Sequence, residues 1–97
     1  MATYFLFETM TREADMSVGD APERAKGVVA AAAGYGVDIL EWFYTVGPVD
    51  FVMKVEAPDD ESVAAFVMAL RRSGNVKATS LRAYTPDEWG ELVARLT

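Results

Sequence analysis

Residues 42–61, WFYTVGPVDFVMKVEAPDDE, hold the reading that decides the fold. Aromatic and β-branched side chains crowd both flanks of Gly47-Pro48, so this stretch reads as strand, tight turn, strand. Pro58-Asp59-Asp60-Glu61 then opens a helix, where the positive end of the helix dipole favours each carboxylate by roughly 0.3–1 kcal/mol. Working outward, the two strand patterns cover residues 37–46 and 49–57 and form an antiparallel hairpin. Pro is disfavoured at the third position of a type I turn, so two registers stay open, differing by a two-residue step. Either one keeps every side chain on its own face, because the strand period is two.

That alternation sorts the hairpin into two faces. One carries Leu40, Trp42, Tyr44, Phe51, Met53 and Val55, apolar enough to lie under helices. The other carries Ile39, Glu41, Phe43, Thr45, Asp50, Val52, Lys54 and Glu56, where large apolar groups alternate with ionisable ones.

Before the hairpin, residues 4–9 (YFLFET) are short and aromatic-rich and predict a strand. A polar loop over residues 11–19 follows. Asp20 and Pro22 then open a helix with Ala21, Ala25, Val28, Val29 and Ala32 at helical spacing, ended by Gly34 and Gly36. Its small alanines predict close approach to a sheet. After the hairpin, Val63, Phe66, Val67 and Leu70 form the apolar stripe of a second helix, and Arg71 and Arg72 sit at its C-terminal end, where cations are favoured. Ser73-Gly74-Asn75 is a turn, and residues 76–84 predict a last strand. Thr85-Pro86-Asp87-Glu88 has the form of a capping box, opening a terminal helix with Trp89, Leu92, Val93 and Leu96 on one side.

The order strand, helix, strand, strand, helix, strand, plus a short C-terminal helix, predicts an α+β fold of the ferredoxin-like βαββαβ type. Right-handed crossovers put both main helices on one face of a four-stranded antiparallel sheet. The opposite face then stays bare in a monomer. Because it carries Ile39, Phe43 and Val52, the expectation is a homodimer, a dimeric α/β barrel in which two sheets cover each other.

The 97 residues suit one domain spanning 1–97, with roughly 60–65% of the unfolded surface buried. The chain has no cysteine and no histidine. That excludes Cys- or His-based zinc sites, iron–sulfur clusters, thiol catalysis and Ser-His-Asp triads. A net charge of -6 opposes the basic surface that nonspecific nucleic-acid binding needs. Residues 1–3 lead straight into an apolar strand with no basic segment before it, and no apolar run approaches membrane-spanning length, so a cytoplasmic protein is expected. No metal site and no cofactor is expected either. The acids at 59–61 splay apart around a helix start, and Gly34-Tyr35-Gly36 is too short for a phosphate loop.

Several segments resemble the GYD domain family: Met1-Ala2-Thr3-Tyr4, Pro22-Glu23-Arg24-Ala25, residues 45–61, Gly74-Asn75-Val76 and Leu81-Arg82-Ala83-Tyr84-Thr85. The likeness covers nearly the whole chain. It implies a ferredoxin-like fold of the dimeric α/β barrel group and implies no established reaction. Gly47 and Asp50 match the family's name motif, whereas Val49 stands where Tyr is usual. Lys54 and Glu8 fall where an apolar or small residue is expected.

The candidate catalytic residues are Asp50, Lys54 and Glu41. Asp50 would serve as a general base if buried, because desolvation raises a carboxyl pKa; its ordinary alternative is a carboxylate that accepts from turn backbone. Lys54 would act as an amine of depressed pKa or an anion-binding group; its alternative is a cross-strand ion pair with Glu41. The candidate ligand-binding residues are Trp42, Tyr44, Phe43, Phe51, Arg82 and Tyr84. Trp42, Tyr44 and Phe51 would line a pocket between sheet and helices, or simply be core. Arg82 and Tyr84 would bind a carboxylate or enolate oxygen. The leading expectation is a cofactor-independent enzyme acting on a small apolar or carbonyl-bearing molecule by proton transfer, cyclisation, isomerisation or oxygenation. The alternative is a non-catalytic dimer, either a binder of small ligands, a regulatory module or a scaffold.

Overall fold

The computed structural model describes residues 1–11, 19 and 21–96. The predicted polar loop therefore lies almost wholly outside the described residues, as do the helix opening at Asp20 and the side chain of Ala21. The elements are β1 (Ala2–Met10), α1 (Ala21–Gly34), β2 (Asp38–Tyr44), β3 (Phe51–Ala57), α2 (Asp60–Arg72), β4 (Val76–Ala83) and α3 (Pro86–Val93). The four strands make one sheet in the order β2-β3-β1-β4, with every pairing antiparallel. This is the ferredoxin-like α+β arrangement.

The core lies between the sheet and α2. Leu6, Met53, Val55 and Phe66 are completely buried there, with Val63, Val67 and Leu70 beside them. Helix α2 is well specified locally. The Asp59 carboxylate accepts from Ser62 N at 2.8 Å, capping the first turn, and the stripe predicted from sequence is the stripe that is buried. At the other end Gly74 takes φ +79, a left-handed conformation that glycine adopts at little cost, and turns the chain into β4.

The β2–β3 register is the one centred on Gly47-Pro48, with Tyr44 opposite Phe51 and Glu41 opposite Lys54. The ladder stops earlier than predicted. Beyond Tyr44 the loop is held by Thr45 N donating to Asp50 O (2.7 Å) and Thr45 Oγ1 donating to Val49 O (2.6 Å).

One face assignment is corrected. Pairing shifts between Ile39 and Glu41, so Ile39 stands opposite Val55 while Leu40 is the extra, bulged residue. The additional residue inverts the alternation upstream of it. Ile39 therefore packs against the core on the helix side, and Leu40 is exposed.

A second correction concerns α1. Of its described side chains only Ala32 is fully buried, and Val29, placed on the inner stripe by its spacing, is exposed. The alanines do not draw the helix tightly onto the sheet. A cavity lies between them instead.

Candidate functional site

The cavity has a volume of about 240 Å³. Its floor is the aromatic trio Trp42, Tyr44 and Phe51, its far wall is Phe66 and Leu70 of α2, and its near wall is the small-residue face of α1 around Ala25 and Ala31. The hairpin builds that floor. Tyr44 and Phe51 are cross-strand partners, and Trp42 lies two residues back on the same face. Trp42 and Phe51 stack at 5.5 Å between ring centroids, and Tyr44 tilts against both at 5.6–5.7 Å. Such a cluster keeps a flat apolar surface rigid with few rotatable bonds.

Two polar groups sit unsatisfied in this helix-facing layer. Trp42 Nε1 is buried with no acceptor among the described residues, and both carboxylate oxygens of Glu8 are buried with no hydrogen-bond partner there. Glu8 occupies a core position on β1, between Phe51 of β3 and Ala78 of β4, and is completely buried. Burial without a partner penalises its charged form and pushes its pKa from 4.5 up to about 8. The residue that sequence reading marked only as a family departure is thus the most perturbed carboxyl of the sheet.

The three groups nominated for acid–base work do not line this cavity. Lys54 Nζ lies 3.8 Å from Glu41 Oε1 on the open face of the sheet, an exposed cross-strand pair. Asp50 Oδ2 accepts from Met10 N at 2.6 Å, while Asp50 N donates to Glu8 O at 2.8 Å. Its carboxylate thereby ties the hairpin loop to the end of β1.

Of the predicted ligand-binding residues, Trp42, Tyr44 and Phe51 come together in the cavity. Phe43 points the other way and is exposed on the open sheet face. Arg82 and Tyr84 belong to a separate cluster at the opposite end of β1. There the Arg82 guanidinium donates to the Thr3 and Ala83 carbonyls and lies 4.3 Å from the centre of the Tyr84 ring. It also sits 3.8 Å from Glu88 Oε2, so this end of the sheet is tied to α3. Tyr4 O–H donates to Asp60 Oδ1 nearby; burial first, and then that hydrogen bond, push the Tyr4 phenol up to about 12.

Sequence reading missed Arg24. Among the described residues that line the cavity it is the one with a full charge. Its position among the Ala and Gly residues of α1 was a signal, because a long cation rising from a small-residue face can reach over a neighbouring hollow.

The family's sequence pattern matches residues 4–93. The chain belongs to the GYD domain family. This GYD domain is also 33% identical over 97 residues to a protein of Thermus thermophilus named glutamine synthetase and cystathionine beta-lyase binding protein. The match covers 99% of each chain. Among the described residues, no helix is long and apolar enough to cross a membrane, and no three acidic side chains gather as a metal site would require.

Proposed function

We propose that this protein is a non-catalytic binding module that docks onto an enzyme of amino-acid metabolism. The observation that carries the reading is the terminal helix α3. Thr85 and Glu88 close a reciprocal capping box on it, at 2.8 and 3.1 Å, with Pro86 in the first turn. Yet none of its residues is buried, and Trp89 and Val93, with Leu96 just beyond, hold their apolar side outward. A helix of this length is marginal in water even with good caps, since isolated helices need roughly 12–15 residues to persist. Its apolar side calls for a protein surface. The relative's name supplies the kind of partner: glutamine synthetase or cystathionine beta-lyase. Docking to such an enzyme presupposes a shared compartment, the cytoplasm.

The same reading gives the open sheet face to self-association. Phe43, Val52 and Phe7 are successive cross-strand neighbours in one row, with Phe5 and Leu81 paired in the next. Phe43 is 60% exposed and Leu81 42%. Two such faces packed together would remove a contiguous apolar patch from water and give the dimeric barrel.

The test is interferometry with immobilised glutamine synthetase and cystathionine β-lyase from the same organism, alongside light scattering for the oligomeric state. The wild-type dimer is expected to bind at least one of the enzymes. Trp89→Asp should abolish binding and leave the dimer intact, whereas Phe43→Asp should give monomers. Absence of binding to either enzyme would overturn the docking reading. Loss of the dimer with Trp89→Asp would assign α3 to self-association instead.

A further inference from the structure

We propose that α3 docks into an apolar groove with basic surroundings on its partner, and that the acids at this end of the domain speed the approach without touching the groove. The inference rests on the docking reading above and adds the charge of the surface that receives the helix.

The anchor comes from α3 and the residue that follows β4. Trp89 and Val93 stand four residues apart, with Leu96 three further on, so they share one side of the helix. Glu88 and Leu92, also four apart, are half-buried and turn toward the body of the domain. Tyr84, 42% exposed, meets Trp89 at 6.0 Å between ring centroids and widens the apolar side. Behind this pair the Arg82 guanidinium lies over the rings of both Tyr84 and Tyr4, at 4.3 and 5.6 Å, and so backs the anchor with groups fixed in β4 and β1. Trp and Tyr dominate binding energy where they fill a partner's pocket, and side chains already held in place lose little freedom on docking.

Charge decides what surrounds that pocket. Asp87 and Glu91 lie two residues to either side of Trp89, which at 3.6 residues per turn puts them on the reverse of the helix, and both are exposed. Asp59, Asp60 and Glu61, at the start of α2, belong to the same end of the domain. Asp60 accepts from the Tyr4 O–H, Tyr4 lies against Arg82, and Arg82 reaches Glu88. Among the described residues here, Arg82, Arg95 and the amine of Met1 answer only part of that charge. The field in front of α3 is therefore negative, and the surface complementary to it is positive. The same field disfavours the anionic lipid surface that a helix with an outward Trp would otherwise suit.

Because Asp87 and Glu91 face away from the anchor, they act over distance, within a Debye length of about 8–10 Å in physiological salt. They change the rate of encounter and leave the docked contacts alone. The aromatic pair does the reverse, setting how long the complex lasts.

The test measures association and dissociation rates on the immobilised enzyme that captures the wild-type protein, from about 0.02 M to about 0.5 M salt. Association is expected to slow by about tenfold or more across that range, with dissociation constant within about twofold. Asp87→Asn combined with Glu91→Gln should slow association at low salt by about threefold or more, flatten its salt dependence and leave dissociation unchanged. Glu61→Gln, on a different helix, should act in the same direction and keeps the test valid if the paired changes loosen α3. Trp89→Ala should raise the dissociation rate by about thirtyfold with little change in association. A salt-independent association rate with binding intact overturns the basic surroundings and leaves the docking reading standing; faster association once the acids are neutralised does the same. An unchanged dissociation rate in Trp89→Ala overturns the anchor. Absence of binding at every salt concentration overturns the inference and the docking reading together. Saturable, Trp89-dependent binding to phosphatidylcholine vesicles would overturn it in favour of a lipid surface.

Discussion

Glu8 makes the stability of this protein depend on pH in a window where little else does. Its carboxyl is completely buried between Phe51 and Ala78 without a hydrogen-bond partner among the described residues, and its pKa is raised from 4.5 to about 8. Between those values the folded state keeps a proton that the unfolded state has released, so stability falls as pH rises. The Glu8 contribution is greatest below pH 4.5, declines through the window, and levels off above pH 8. A pKa difference of one unit corresponds to about 1.4 kcal/mol, which gives a loss of about 3 kcal/mol between pH 5 and pH 8. That is a large share of the 5–15 kcal/mol typical of a domain.

The chain contains no histidine and no cysteine, so no other side chain has its ordinary range inside that interval. The assay is urea unfolding followed by circular dichroism at pH 5, 6, 7 and 8, at one protein concentration so that any dimer contribution is constant. Wild type should lose about 3 kcal/mol across the series, and Glu8→Gln, neutral at every pH, should be nearly flat. Glu8→Met removes the unpaired carboxyl outright and should be more stable than wild type at pH 8 by about 2 kcal/mol or more. A flat wild-type profile, or a slope that survives Glu8→Gln, would refute the reasoning.

Other perturbations discriminate between parts of the fold. Phe66→Ala empties a completely buried site beside the cavity and should cost about 3–5 kcal/mol by chemical denaturation. Lys54→Met breaks an exposed pair with Glu41 and should change stability by less than about 1 kcal/mol, with no effect on folding cooperativity. Gly74→Ala forces a side chain into φ +79 with open space around it, so only conformational strain remains and about 1 kcal/mol should be lost. In native-state hydrogen exchange, amides of β1, β3 and α2 should be protected to the global limit, and those of α1 and β2 should exchange through smaller openings.

What the sequence made legible is what short-range rules govern. The stripe Val63, Phe66, Val67 and Leu70 repeats at helical spacing behind an Asp59 cap, and all four side chains are buried. The capping box at Thr85 and the turn at Gly74 are likewise local patterns. The Leu40 bulge is not, because an extra residue in β2 leaves no local trace when no glycine marks it and is defined only by what β3 places opposite. The same holds for the cavity. An alanine-rich helix face is compatible with close packing or with a hollow, and the outcome depends on how far the aromatic floor of β2 and β3 lifts the helix. Glu8 shows the third kind of limit. In YFLFET it occupies an inward-facing position of an alternating strand, but its isolation follows from Phe51 and Ala78, neighbours more than forty residues away.

These limits share a geometry that bears on function. No residue of β2 is fully buried, and α1 buries Ala32 alone among its described side chains. The rest of the core comes mainly from β1, β3, α2 and β4. Cohesion is thus concentrated on one half of the domain, and the other half stands over a hollow. Close packing makes a core intolerant of added volume, whereas a loosely held helix can move outward at modest cost. A ligand entering under α1 would supply contacts that this helix lacks, so binding should stiffen α1 and β2 more than any other element. Helix α3 hangs from the far edge strand β4, fastened through Arg82 to Tyr84 and Glu88. Cavity and terminal helix both adjoin β4, the cavity through Val76 at its start and α3 through Arg82 near its end, so any influence of ligand on docking can run along β4 directly.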